Sequence, residues 1–380
     1  MKIAYYCQHV LGVGHVHRSL EICRACAADS EVTMILGGPP LDLPAQPFAL
    51  YQLPGLMMDE RFSGLHPCDP DSSLDDVKTL RRRRLLSFFR NLDPDALVIE
   101  LFPFGRKAFR FELVPLLESV ERSRCRVFCS LRDILVEKSG DQHKHERRAV
   151  QTLNRFFDAL LVHSDPRLVR LEETFSRLEQ IEIPVLYTGF ITPQPDFDAG
   201  RRIRDTLGLA PEHKLIVTSI GSGSVGSELL QAVHAAAQQL TREAPYRFQT
   251  FTGPYCDQTL YENLRRHRTP RIGVERFTGT FTDWLAAADL SISMAGYNTS
   301  MNVLAAGVPA LMMPFDQNRE QRLRITKLTG GHPLRLIDQA DLQPGRLIPI
   351  IQKQLALPRY RTSIDLDGAS HTARFLETRP

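Results

Sequence analysis

The sequence predicts an α/β fold built from two doubly wound domains, and three observations carry that reading. Short β-rich runs alternate with helical runs along the whole chain, the pattern of parallel strands joined by crossover helices. The alternation restarts after the proline-spaced stretch Pro193-Gln-Pro195-Asp196, because a strand, a glycine loop and a helix open the first half near Lys2 and the second near Lys214. A chain of 380 residues also exceeds what one hydrophobic core usually organises. The expected division is residues 1–195, residues 196–362, and a last segment, 363–380, that crosses back onto the first domain.

Composition narrows the function classes. Hydrophobic residues make up 43% and charged residues 24%, ordinary values for a soluble globular protein. A net charge of +3 is too small a bias to argue for a nucleic-acid partner. The seven cysteines are scattered; Cys23-x-x-Cys26 lies in a helical pattern without a second pair, which speaks against zinc or redox chemistry and for reduced cytoplasmic thiols. Met1-Lys2 leads straight into a strand with no leader-type apolar core, and no apolar run approaches the length of a membrane span.

In order, residues 2–7 (KIAYYC) read as a strand, followed by the loop Gly12-Val-Gly14-His15 and a helix over 19–28. Residues 31–36 (EVTMIL) read as the next strand. Gly12 and Gly14 allow a backbone to approach a ligand at the carboxyl edge of the first strand. The third glycine of a dinucleotide fingerprint is missing, since Arg18 and Ser19 stand there. Residues 39–76 are rich in Pro, Gly and Asp and read as irregular. Residues 75–92 read as a basic amphipathic helix containing Arg81-Arg82-Arg83-Arg84, its cations on a solvated face or against an anionic surface. Strands follow at 96–100, 126–131 and 159–163; His143 and His145 fall in a helix at a spacing that does not favour a metal over solvent. In the second half, strand 214–219 runs into Gly221-Ser-Gly223-Ser-Val-Gly226 and a helix from Glu228. Such a loop makes a phosphate cradle of backbone N–H groups, although no Gly-Lys-Ser/Thr ends it as in a Walker loop.

The stretch on which the chain centres is 291–302, SISMAGYNTSMN. An apolar strand stops at Gly296, Asn298, Thr299 and Ser300 offer helix caps, and Gly307 and Pro309 end the helix. A capped helix start directly after a strand is an anion site whose usual guest is a diphosphate.

Gly-Tyr-Asn-Thr at 296–299, Gly307-x-Pro309, Pro314 and Asp316-Gln317 resemble, in order and spacing, the nucleotide-sugar signature of GT-B glycosyltransferases. The resemblance is nearest to MurG-type enzymes and a set of predicted bacterial relatives. Those share the runs 8–19 (QHVLGVGHVHRS), 100–105 (ELFPFG) and 130–135 (SLRDIL), so the likeness covers most of the chain. It implies two Rossmann-like domains facing each other across a cleft, an acceptor-side domain first and a nucleotide-sugar domain second. Two positions depart from the pattern: Met294 stands where relatives often carry a diphosphate-touching histidine, and Asn302 where most carry a ribose-binding glutamate.

The implied reaction is transfer of a sugar from a nucleotide diphosphate, a UDP-sugar with UDP-GlcNAc among the candidates, to an acceptor hydroxyl. His15 is the candidate base, oriented by Glu100 or Asp133, each of which ends a strand. Donor contacts are expected from Gly12, Gly14, Ser222, Gly223, Gly296, Asn298, Thr299, Ser300 and Asn302, with Asp316 and Gln317 on the sugar hydroxyls. No Asp-x-Asp motif is present, so the resemblance implies a mechanism without metal and no cofactor. The acceptor is lipid-linked or a small molecule, and the location cytoplasmic, including the inner face of the membrane. Competing readings are a GT-B-fold sugar-nucleotide epimerase, a relative that binds without catalysing, and a nicotinamide dehydrogenase, against which the incomplete first glycine loop argues.

Overall fold

The computed structural model describes residues 1–10, 14–58, 64–135, 141–315 and 319–378. The chain forms two compact α/β units, each Rossmann-like: residues 1–191 with 364–380, and residues 192–363.

Unit 1 opens with strand β1 (Lys2–Cys7), helix α1 (Gly14–Cys26), β2 (Glu31–Leu36) and β3 (Ala49–Gln52). A small antiparallel hairpin, β4 (Leu56–Met58) and β5 (Leu65–Pro67), precedes the long helix α2 (Leu74–Leu92). The segment expected to be irregular therefore holds three short strands. None is longer than 4 residues, too short for a period to register in the sequence. Then come β6 (Ala96–Glu100), α3 (Arg110–Glu118), β7 (Arg126–Arg132), α4 (Gln142–Phe156), β8 (Ala159–His163) and β9 (Val185–Tyr187). Seven strands pair in the order β3-β2-β1-β6-β7-β8-β9, all parallel. The order reverses between β1 and β6, the switch point outside whose carboxyl ends such sheets place ligands.

One member of the arginine run of α2 is not on a solvated face. Arg81 is fully buried while Arg82, Arg83 and Arg84 are exposed. Its Nε and Nη2 grip the buried Glu112 at 2.9 and 2.5 Å, and Nη2 also donates to Gln8 Oε1 at 2.8 Å. Nη1 donates to the carbonyls of Gly37 and Pro54, both at 2.6 Å. A buried guanidinium persists because its charge is paired and its donors are bonded. The clamp ties together the loops that follow β1, β2 and β3.

Unit 2 contains α5 (Phe197–Thr206), β10 (Lys214–Ser219), α6 (Ser227–Glu243), β11 (Tyr246–Phe251), α7 (Gln258–Arg266), β12 (Ile272–Glu275), α8 (Phe281–Ala287) and β13 (Leu290–Met294). It continues through α9 (Tyr297–Ala306), β14 (Ala310–Met313), α10 (Arg319–Thr329), β15 (Leu334–Leu336) and α11 (Pro344–Leu355). Its six parallel strands run β12-β11-β10-β13-β14-β15, with the switch point between β10 and β13. The last helix, α12 (Gly368–Glu377), belongs to unit 1, where Ala373 and Leu376 join the core beneath α1. Among the described residues no helix is long and apolar enough to cross a membrane.

Candidate active site

Helix α1 starts at Gly14, five residues earlier than the sequence indicated, so His15 sits in the first helical turn rather than on a loop. Glycine at the start hides a helix from a periodicity argument, because the apolar repeat begins only at Val16. From that turn His15 Nδ1 meets Glu100 Oε1 at 2.6 Å, at the end of β6. Of the two carboxylates offered by the sequence, Glu100 makes this contact; Asp133 is buried just beyond β7. Arg18, one turn along α1, places Nη2 2.8 Å from the same Oε1 and 3.2 Å from His15 Nδ1. Arg106 places Nη2 3.4 Å from Oε2.

Glu100 is fully buried and Arg18 nearly so, while the His15 side chain keeps 24% of its surface. Burial alone would push the Glu100 carboxyl up; His15, Arg106 and Arg18 outweigh it and hold the group well below the ordinary carboxylate range. Burial drives His15 down to about 4, with Glu100 opposing and Arg106 and Arg18 assisting. The imidazole is therefore neutral near pH 7. With Nδ1–H donated to an ionised carboxylate, the tautomer is fixed and Nε2 carries the lone pair.

A second polar chain runs behind this group. Tyr5 Oη and Ser130 Oγ are 2.9 Å apart, Ser130 Oγ and His163 Nε2 2.7 Å, and His163 Nδ1 and Thr188 Oγ1 2.8 Å. Burial lowers His163 to about 3, which keeps it neutral. The chain pins the carboxyl ends of β7, β8 and β9 to β1.

In unit 2 the loop after β10 packs directly on the loop after β11. A Cβ on Gly223 (φ +98°) would lie 2.5 Å from Cys256 N and 2.8 Å from Thr252 O, so only glycine fits. Tyr255 N donates to Ser222 O at 2.8 Å and Gly253 N to Arg276 O at 2.7 Å. Two aromatic rings missed in the sequence stand here, Tyr255 and Phe277, 57% and 59% exposed. Single aromatics in loops give no periodic signal. Met294 lies against Gly226, the N-cap of α6: an added Cβ there would approach Met294 Cγ to 2.9 Å.

Helix α9 corrects the sequence reading of its cap. The N-cap is Gly296, in extended backbone and without a side-chain cap, and the helix begins at Tyr297. Asn298 and Thr299 are first-turn residues, whose N–H groups lie outside the i to i−4 ladder. Ser300 does not belong to such a cradle. Its N–H and hydroxyl both donate to Gly296 O, each at 2.9 Å. Asn302 Oδ1 accepts the Thr192 hydroxyl at 2.7 Å, so this carbonyl is engaged by the start of unit 2. Gly12, Asp316 and Gln317 lie outside the described residues, whereas Gly14 opens α1.

Residues 217–363 match the glycosyltransferase family 28 C-terminal domain. The Haemophilus influenzae UDP-N-acetylglucosamine--N-acetylmuramyl-(pentapeptide) pyrophosphoryl-undecaprenol N-acetylglucosamine transferase is 29% identical over 178 residues, 46% of each chain. The likeness is to MurG-type glycosyltransferases. The chain spans about half the length of the first such curated relatives, 46% of each. An uncharacterized glycosyltransferase of Methanosarcina mazei is 20% identical across 81% of this chain and 79% of its own. The MurG crystal structure from Acinetobacter baumannii superposes with a TM-score of 0.55 at 15% identity, covering 98% of this chain and 95% of MurG. The UDP-GlcNAc 2-epimerase of Methanocaldococcus jannaschii has the same fold, with a TM-score of 0.60 at 11% identity, covering 99% and 98%. The family match thus lies in unit 2, and the likeness to MurG in fold extends over both units.

Proposed function

We propose that the chain is a glycosyltransferase moving a sugar from a UDP-sugar to an acceptor hydroxyl. The observation that carries this reading is the His15–Glu100 pair: a neutral imidazole, three-quarters buried, whose Nδ1 lies 2.6 Å from an ionised carboxylate. His15 Nε2 accepts the acceptor's hydroxyl proton as that oxygen attacks the anomeric carbon, and the nucleoside diphosphate departs with the electrons of the broken C–O bond. Glu100 and Arg18 act as positioning residues. In unit 2, Ser222, Gly223 and the first turn of α9 at Gly296, Asn298 and Thr299 receive the diphosphate. Phe277 offers an open ring for the base. Asp316 and Gln317 take the sugar hydroxyls, on the strength of the resemblance. This reading uses backbone N–H donors against the leaving group and needs no metal.

The relatives, UDP-N-acetylglucosamine transferases acting on a pyrophosphoryl-undecaprenol acceptor, support UDP-GlcNAc as the donor to try first and a lipid-linked acceptor, with a small molecule as the alternative. With a lipid-linked acceptor the protein works at the inner face of the membrane from the cytoplasm. A thermal-shift panel of UDP-, GDP- and dTDP-sugars tests the donor, since a ligand bound only to the folded state raises the melting temperature. The expected result is selective stabilisation by UDP-sugars; a panel that stabilises nothing removes the proposal. The epimerase likeness supplies the second reading, which predicts inversion of UDP-GlcNAc in the absence of any acceptor. NMR of the donor incubated with the protein alone separates the two.

A further inference from the structure

Glu100 has more positive company than one carboxylate can balance. Arg18 and Arg106 both reach it, and with His15 neutral the group holds one cation in excess. A guanidinium paired with a carboxylate closes to about 2.7–2.9 Å. Arg18 does so at 2.8 Å, and Arg106 stands off at 3.4 Å. That long contact is the one side-chain hydrogen bond of Arg106 among the described residues, and its Nε is buried with no partner. The side chain is nonetheless nine-tenths buried. A desolvated guanidinium with its donors idle is costly until an anion completes it.

The backbone holds Arg106 in this pose. Its φ is +58°, in the left-handed region that a residue with a side chain seldom adopts, and Leu101 at the other end of the turn has φ +66°. Gly105 N donates to Leu101 O at 2.8 Å and closes the turn. The surroundings favour an anion as well. Lys107 and Arg110 are exposed on the same segment, and the first turn of α1 carries no acidic residue. The next acid along the chain, Glu112, is consumed by Arg81.

We propose that Arg106 is a receptor for a substrate oxyanion, a phosphate or carboxylate oxygen that takes up the donors Glu100 leaves idle. The inference rests on the glycosyl-transfer reading only for calling the ligand a substrate. The oxyanion belongs either to the donor's diphosphate or to an anionic group on the acceptor. Its arrival draws Arg106 off Glu100 and leaves that carboxylate to His15 and Arg18, so an occupied site also has the better-supported base.

The test is calorimetric titration of the full-length wild type, Arg106→Gln and Arg106→Lys with UDP, and with inorganic pyrophosphate after saturation with UDP. If the donor is the source, Arg106→Gln weakens UDP by about tenfold or more, the scale of lost hydrogen bonds to a charged group, and Arg106→Lys recovers part of it. If the acceptor is the source, UDP affinity is unchanged, while pyrophosphate binds the UDP-saturated wild type and fails to bind Arg106→Gln. Should UDP not bind the wild type at all, pyrophosphate binding that depends on Arg106 upholds the site and removes the UDP-transferase reading. Affinities for both probes within about twofold of wild type in a folded Arg106→Gln protein overturn the inference. Absence of pyrophosphate binding together with unchanged UDP binding overturns it too. If Arg106→Gln does not fold, Arg106→Lys decides, because losing the fork must weaken one probe by about threefold or more.

Discussion

His15 combines a fixed tautomer with a low basicity, and both come from its neighbours. Glu100 fixes Nδ1, and burial, assisted by Arg106 and Arg18, keeps the imidazole from holding a proton in the free protein. His15→Ala is expected to slow transfer by about a hundredfold or more with little change in UDP affinity, the scale of a lost general base. Unaltered turnover would reduce His15 to a packing role. The acid limb of kcat/KM, which reports the free protein, should fall near pH 4 rather than near 6.5. Stability follows the same group. The unfolded chain protonates His15 near 6.5 and the folded chain only near 4, so folding loses ground as pH drops through that window. His163, lowered to about 3, extends the decline. Denaturant titrations from pH 7 to pH 4 measure it, and a flat profile would mean that the two imidazoles are not held neutral.

At the scale of elements, the loops after β10 and β11 form one unit because their backbones touch. Gly223→Ala adds a methyl at 2.5 Å from Cys256 N in a loop where φ is +98°. Backbone cannot yield as a flexible side chain can, so a loss of about 1–3 kcal/mol is expected, with weaker UDP binding. Gly221→Ala is the control: φ is +70°, yet a Cβ there meets nothing within 4 Å. The control should cost less, and equal melting temperatures for the two variants would refute the steric argument. This contact could not be read from the sequence. The glycine-serine run announced a loop able to cradle phosphate, but its partner, Gly253-Pro254, lies thirty residues on. The same limit applies to α2. Four consecutive arginines look alike in sequence, and only the buried Glu112 singles out Arg81. The strands were visible because parallel strands buried on both faces are continuous apolar runs. The cap of α9 was misplaced because Asn298, Thr299 and Ser300 advertise caps while the bare Gly296 performs that role.

At the scale of the molecule, the chain does not end in the unit it has just completed. Residues 364–380 return to unit 1, where α12 packs beneath the helix that carries His15. Phe190 N donates to Asp365 O at 2.8 Å and Gly368 N to Phe190 O at 3.0 Å, so the returning segment is stitched to the end of unit 1. Arg126 adds two bonds from β7 to the carbonyls of Leu376 and Thr378, at 2.6 and 3.1 Å. The helix that carries His15 and the glycine loop after β10 are thus stabilised by different parts of the sequence. Leu376 is fully buried, and Leu376→Ala should cost unit 1 about 2–5 kcal/mol, the range for a large-to-small change in a closed core. Truncation after Ser363 should cost more, since it uncovers the whole buried face of α12. Neither change touches the core of residues 192–363. Differential scanning calorimetry of the truncated chain with and without UDP should therefore show a transition lost or lowered for unit 1 beside one that UDP still raises. If truncation abolishes the UDP-dependent rise while a cooperative transition survives, the glycine loop and α9 do not hold UDP by themselves, and unit 1 contributes to donor binding as it does where Arg106 takes the donor's diphosphate.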